Sequence, residues 1–371
     1  METLQHSQRL VVKVGSSLIA KPESGRPNLH WMAGLAKDVA ALRGAGKEVC
    51  IVSSGAVALG RTVLGIPHGT LAQPEKQAAA ACGQMLLMQA WQEVFADSNI
   101  HVAQVLLTLD DSDSRRRYLN ARGTLNTLLA RGIIPIINEN DTVATRELRV
   151  GDNDRLAARA AQMIGADALV LLSDIDGLYT ADPSKDASAT FIPVVQEIDA
   201  RIRSYAAPPV TMVGTGGMVT KVEAAVIATA SGCHTIIARG TEHQPLSALQ
   251  QGGKHTVFVA HTTPMSARKE WIAGSLSPAG VLSVDKGAED ALLSCKSLLP
   301  VGVVEISGSF QRGDAVLIQS KSSGKALAKG LVCYNSEELV QIMGKHSQHI
   351  PSILGYDRGD VAVHRDDMVM V

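Results

Sequence analysis

The sequence predicts an α/β sandwich on a mainly parallel sheet, followed by a small β-rich module. Three observations carry that expectation. Short apolar runs of five to eight residues alternate with longer helical stretches between residues 9 and 239, the pattern of βαβ units. Most of the runs are nearly continuous in Val, Leu and Ile, as strands buried on both faces require. The chain is 46% hydrophobic but only 3% aromatic, so its core is built from aliphatic side chains. At 371 residues it is long for one domain and comfortable for two of about 100–200 residues.

The first element is RLVVKV, residues 9–14, a strand that stops at Gly15-Ser16-Ser17. A helical stretch over 28–45 ends at Gly44 and Gly46. EVCIV, 48–52, is a β-branched run ending at Ser53-Ser54-Gly55. Helical patterning over 74–97 leads to the strand HVAQVLLT, 101–108. A helix around 112–131 precedes IIPIIN, 133–138, and a helix near 153–164 precedes ALVLLSD, 168–174. A last helix at 217–231 leads into HTIIAR, 234–239. From about residue 275 the pattern changes: SLLPVGVVEISGSFQRGDAVLIQS and GKALAKGLVCYNS read as short strands with glycine turns. A linker is expected over 263–278, with domains at 1–262 and 279–371.

Composition narrows the function classes. A formal net charge of −1 supplies no global field for nucleic acid or an anionic membrane. Five scattered cysteines without CxxC spacing argue against a disulfide framework or a zinc site and for a reducing compartment. The start METLQHSQRL has no apolar h-region, and no run is long enough to span a bilayer. The expectation is a soluble, cytoplasmic protein. Met85 and Met88, at helical spacing, are read as core fillers.

The chemistry-bearing residues gather where strands end, the place where ligands of open α/β sheets bind. Asn138, Glu139, Asn140 and Asp141 follow one strand; Asp152, Asn153 and Asp154 open the next helix. Helix capping accounts for at least one of the second group, but does not readily account for the first. An amino-acid substrate needs acceptors for its ammonium and donors for its carboxylate: Asp141 suits the first need, and Ser54, Asn138 and Asn153 the second. GTGGMVTKVEAA, 214–225, places a glycine-rich turn before a helix, where free N–H groups and the dipole can hold phosphate oxygens. It lacks the Walker A spacing, and an ordinary turn is an equally good reading. Lys13 lies in an apolar run beside a Gly-Ser-Ser turn. Alone it reads as a snorkelling sheet-edge lysine, but with Lys221 it can converge on a transferring phosphoryl group.

In order along the chain, VVKVGSS, VSSGAVALGR, INENDTV, VGDNDRLAA, LLSDIDGLYTADP and GTGGMVTK resemble the glutamate 5-kinases of the amino acid kinase superfamily. LLPVGVVEISGSFQRGD and AVHRDDMV resemble the PUA domain of bacterial members. The resemblance implies an amino acid kinase-like αβα sandwich followed by a PUA barrel. It implies that Lys13 and Lys221 face the phosphates and that Asp154 holds them in place. Ser54, Asp141 and Asn153 match glutamate-binding positions, with Asn138 and Asp152 in the same pocket. Ser173 and Asp174 match a nucleotide-binding pair, and Thr215, Gly216, Gly217, Met218, Val219, Thr220 and Lys221 match a second nucleotide loop. Tyr179, Asp182 and Pro183 match the purine side. Ser53-Ser54 departs from the more usual Thr-Ser pair.

The implied reaction converts ATP and L-glutamate to ADP and γ-glutamyl phosphate, the first step of proline biosynthesis, with Mg²⁺ held mainly by phosphates and water. The implied partners are proline as inhibitor, glutamate-5-semialdehyde dehydrogenase downstream, and further copies of the chain in a dimer or tetramer. Two other readings compete. PUA domains occur in RNA-modifying enzymes, but residues 275–371 hold nine Lys and Arg against eleven Asp and Glu, a net of −2, opposite to a basic footprint. Another superfamily kinase would act on aspartate, N-acetylglutamate, carbamate or a nucleotide; an Asp141 that meets a free ammonium favours an unblocked amino acid.

Overall fold

The computed structural model describes residues 2–21, 24–66, 69–144, 152–206, 217–275, 277–357 and 359–371. The chain divides into two compact units, Met1–Pro264 and Met265–Val371.

The first unit is built on β1 (Arg9–Val14), β2 (Glu48–Ser53), β3 (Val102–Leu107), β4 (Ile134–Glu139) and β5 (Ala168–Ser173). The two-residue strands β6 (Leu178–Tyr179), β7 (Phe191–Ile192) and β8 (Val194–Val195) follow, then β9 (His234–Arg239) and β10 (His255–Phe258). β6 and β7 form a separate ribbon; the others make one sheet in the order β3-β4-β2-β1-β5-β9-β10-β8. Pairing is parallel from β3 to β9, antiparallel between β9 and β10, and parallel again to β8. β8 and β10 were not anticipated, because runs of two and four residues are too short to carry a period. From β1 the chain winds to β2 on one side and later to β5 on the other. The carboxyl ends beside β1 are therefore a topological switch point, the place where sheets of this kind bind ligands.

Helices cover both faces, as a sheet with few polar residues demands. Side chains of a strand alternate between faces. Leu10, Val12 and Val14 of β1 pack with Trp31, Leu35, Leu87 and Trp91, which come from the helices Leu29–Gly44 and Gln73–Ala96. Val11 packs on the opposite face with Leu125, Leu156 and Ala225, which come from Arg115–Ala130, Asp152–Ile164 and Met218–Ala230. Lys13 shares the parity of Val11, so it points among those last helices. Met88 packs against the first core, but Met85 is 77% exposed. The core-filler reading fails for Met85 because Gln84, Leu87 and Trp91 occupy the inward stripe.

Of the second unit, β11 (Gly280–Val284), β12 (Val303–Gly308), β13 (Ala315–Ser320), β14 (Ala326–Val332) and β15 (Val363–Met370) form a sheet in the order β12-β11-β13-β14-β15. Its core gathers Leu282, Val284, Phe310, Val316, Ile318 and Tyr334. The stretch expected to link two domains contains a helix, Pro264–Ser275.

Candidate active site

Lys13 sits in the middle of the sheet, in register with Val52 of β2 and Leu171 of β5. It is 6% exposed, which removes the snorkelling reading. Its ammonium needs a buried anion, and the first turn of Asp152–Ile164 supplies one. Asp154 Oδ1 lies 2.6 Å from Lys13 Nζ, and Asp154 Oδ2 lies 3.2 Å from Lys221 Nζ. Thr220 Oγ1 donates to the same Oδ2 at 2.8 Å. An ion pair between Arg155 and Glu223 ties the two helices together nearby. A carboxylate 1% exposed thus stands between two lysines that are 208 residues apart in sequence.

The electrostatics follow from this crowding. Burial works to raise the Asp154 carboxyl, but the charges of Lys13 and Lys221 outweigh it and hold the group below its usual range. Burial lowers the Lys13 ammonium; Asp154 pulls against it, and the like charge of Lys221 adds to the lowering. With all three ionised the triad carries +1. That surplus, at the starts of two helices whose dipoles point positive ends the same way, suits an anionic ligand.

A second group lies at the ends of β2 and β4. β2 closes with Ser53, whose Oγ accepts from Trp91 Nε1 at 3.1 Å. The chain then turns at Gly55, where φ is +112° and a Cβ would meet Ile19 at 2.7 Å, so glycine is required. Ser54 Oγ accepts from Asn153 Nδ2 at 2.8 Å, and the same Nδ2 donates to Asn138 Oδ1 at 3.0 Å. Asn138 Oδ1 also accepts from the Glu139 backbone at 2.9 Å, and Asn138 Nδ2 donates to Gln84 Oε1 at 2.9 Å. Three residues predicted to bind substrate, Ser54, Asn138 and Asn153, therefore share one network. Asn153 enters it with the opposite polarity to that expected. Both of its amide hydrogens are used inside the protein, leaving its carbonyl. Asn153 and Asp154 are adjacent, so the amide network and the lysine triad meet on one helical turn.

Asp141 is half-buried in the turn beyond β4. Asp152 begins the helix Asp152–Ile164, but its side chain, like Thr215 and Gly216, lies outside the described residues. Gly217 occupies the N-cap of Met218–Ala230 without a side-chain cap, and Met218 and Val219 pack against the second core. Ser173, at the end of β5, donates from Oγ to Asp174 Oδ1 at 2.8 Å. Asp174 is near enough to Lys13 to favour its charged form. Tyr179 is tied down: its hydroxyl donates to Asp176 Oδ1 at 2.9 Å and lies 2.7 Å from Lys254 Nζ, while its ring meets Phe191 edge-on at 5.3 Å. Asp182 accepts from the backbone and hydroxyl of Ser184 in an exposed turn. Among the described residues no three His, Cys, Asp or Glu side chains gather to hold a metal.

The sequence reading passed over Gln84, the one polar side chain on the buried stripe of Gln73–Ala96. Its signal was next to it. Gly83 and Gly60 lie inside helices, where glycine is unfavourable without a packing reason. A Cβ on Gly83 would lie 1.8 Å from Ala56 O, and one on Gly60 1.7 Å from Ala79 O. The helices Ala56–Val63 and Gln73–Ala96 touch backbone to backbone there.

The amino acid kinase family matches residues 8–239 and the PUA domain residues 280–354. Over 370 residues the chain is 54% identical to a glutamate 5-kinase of Paramagnetospirillum magneticum, covering 100% of both chains. It is 52% identical to glutamate 5-kinase 1 of Rhizobium meliloti, covering 100% of this chain and 93% of that protein. It is also 52% identical to a glutamate 5-kinase of Caulobacter vibrioides, covering 98% of this chain and 97% of that one.

Proposed function

The chain belongs to the glutamate 5-kinases of the amino acid kinase family, with a C-terminal PUA domain, and we propose that it transfers the γ-phosphoryl group of ATP to the side-chain carboxylate of L-glutamate. One observation supports this reading most: Asp154 stands between Lys13 and Lys221, one residue from an amide network suited to an amino acid. The nucleophile is a carboxylate with an ordinary pKa of about 4.3, already ionised at neutral pH. No base is needed. The obstacle is repulsion between an anionic nucleophile and a triphosphate, with in-line alignment. Lys13 and Lys221 take the phosphoryl charge, and Asp154 fixes both ammonium groups before the nucleotide arrives. Ser54, Asn138, Asn153, Asp141 and Asp152 bind glutamate. Ser173, Asp174 and the loop Thr215–Lys221 bind the nucleotide. Mg²⁺ accompanies the phosphates.

The product, an acyl phosphate, is consumed by a reductase, glutamate-5-semialdehyde dehydrogenase, in proline synthesis. Proline carries the same α-carboxylate and a secondary ammonium, and inhibits by competing for the glutamate site. The working form is a cytoplasmic dimer or tetramer. Its kinase domain spans 1–262, and its PUA domain, 279–371, follows the segment 263–278. Among the described residues no helix is long and apolar enough to cross a membrane. Hydroxamate trapping with ATP and glutamate, aspartate or N-acetylglutamate tests the reading. Glutamate should give the highest kcat/KM; a preference for N-acetylglutamate refutes it.

A further inference from the structure

The amide network leaves two buried polar atoms over. Among the described residues, Gln84 Nε2 and Asn153 Oδ1 have no hydrogen-bond partner. Native folds seldom bury unpaired polar atoms without a use. One of these is a donor and the other an acceptor, and they belong to the two ends of one chain of amides. Gln84 Oε1 accepts from Asn138 Nδ2, and Asn138 Oδ1 accepts from Asn153 Nδ2. An amino acid is the complementary object, with a carboxylate that accepts and an ammonium that donates.

Gln84 is 9% exposed and held in place by its neighbours. The Gly60–Gly83 crossing draws its helix down onto the turn after β2. Two turns on, Trp91 pins the same helical face through Ser53. Every other buried residue of that helix is Gly, Ala or a larger apolar residue, so an amide at this position is not a packing default.

We propose that Gln84 is a further substrate-binding residue: its Nε2–H donates to a carboxylate oxygen of the amino-acid substrate, while its Oε1 holds Asn138 in the orientation that engages the Asn153 amide hydrogens and leaves the Asn153 carbonyl as an acceptor. The proposal rests on the amino-acid kinase reading, so hydroxamate formation by the unsubstituted chain is measured first. Failure with every amino acid would sink that reading itself; where an amino acid is accepted, the Gln84 assignment is read from differences between variants on that amino acid.

Gln84→Met removes both donor and acceptor. Gln84→Glu, nearly isosteric, keeps an acceptor for Asn138 and removes the donor. Losing a hydrogen bond to a charged group should raise the amino-acid KM about tenfold to a hundredfold in Gln84→Met. Gln84→Glu should suffer at least as much, because carboxylate would face carboxylate. The ATP KM should stay within about twofold in both. A near-normal amino-acid KM in Gln84→Glu would reduce Gln84 to a structural strut and overturn the assignment, as would equal weakening of both substrates. In the unsubstituted chain the side-chain amide resonance of Gln84 should move on adding glutamate. A signal unmoved at saturation overturns the proposal even if neither variant folds.

Discussion

Replacing Asp154 by Asn keeps the shape of the side chain and deletes the charge between Lys13 and Lys221. At an effective dielectric near 20, unit charges at the observed separations attract by about 6 and about 5 kcal/mol. Most of that gain offsets the desolvation of three buried groups. What a measurement reads is the cost of leaving partners unpaired, about 3–5 kcal/mol for one broken buried pair. For a unit of this size that corresponds to about 6–20 °C in Tm, measurable by scanning calorimetry of the full chain. The lesion should couple to its partner: in a cycle with Lys13→Met, the double variant should recover about 1–3 kcal/mol relative to the sum of the singles. The acid limb gives a second reading. Because the Asp154 carboxyl is depressed below its ordinary 3.8, its stabilisation is present above that pH and lost as pH falls through the lower, folded value. The Tm gap between wild type and Asp154→Asn should therefore narrow below 3.8. Additive losses in the cycle, or a Tm gap under about 2 °C at neutral pH, would refute the pairing argument.

Lys221→Ala or Lys13→Ala should lower kcat by about 10²–10³, the scale for losing one transition-state donor; near-normal turnover in both would remove the lysines from the chemistry. Asp141→Ala should raise the glutamate KM strongly and leave the ATP KM largely intact, whereas equal weakening of both would make Asp141 structural. Gly83→Ala places a methyl 1.8 Å from the Ala56 carbonyl and should destabilise the fold by about 1–3 kcal/mol or more. Because the displaced helix carries Gln84, the variant should also raise the glutamate KM, as denaturation curves and kinetics together would reveal.

The sequence alone determined the alternation of strands and helices, the change to β structure near residue 275, and the strand-end polar clusters. Each rests on local physics. A run such as RLVVKV reads as a buried strand from its length, its β-branched residues and the turn that closes it, and Ser54-Gly55 breaks the run before it. Ordered motifs also carried the family, because their spacing preserves the chemistry of one site. Roles that depend on which atom faces which were not legible. Asn153 read as a donor for substrate, and only the fold engages both its hydrogens on Ser54 and Asn138. Lys13 taken alone reads as a sheet-edge lysine, and only its pairing with Lys221 points to a phosphoryl group; the fold buries it between β2 and β5. Met85 read as core, and Gln84 as nothing in particular. Hydrogen-bond direction and burial are settled by partners tens to hundreds of residues away, so tertiary structure alone could choose between Gln84 and Met85, or show which oxygen of Asp154 meets Lys13 and which meets Lys221.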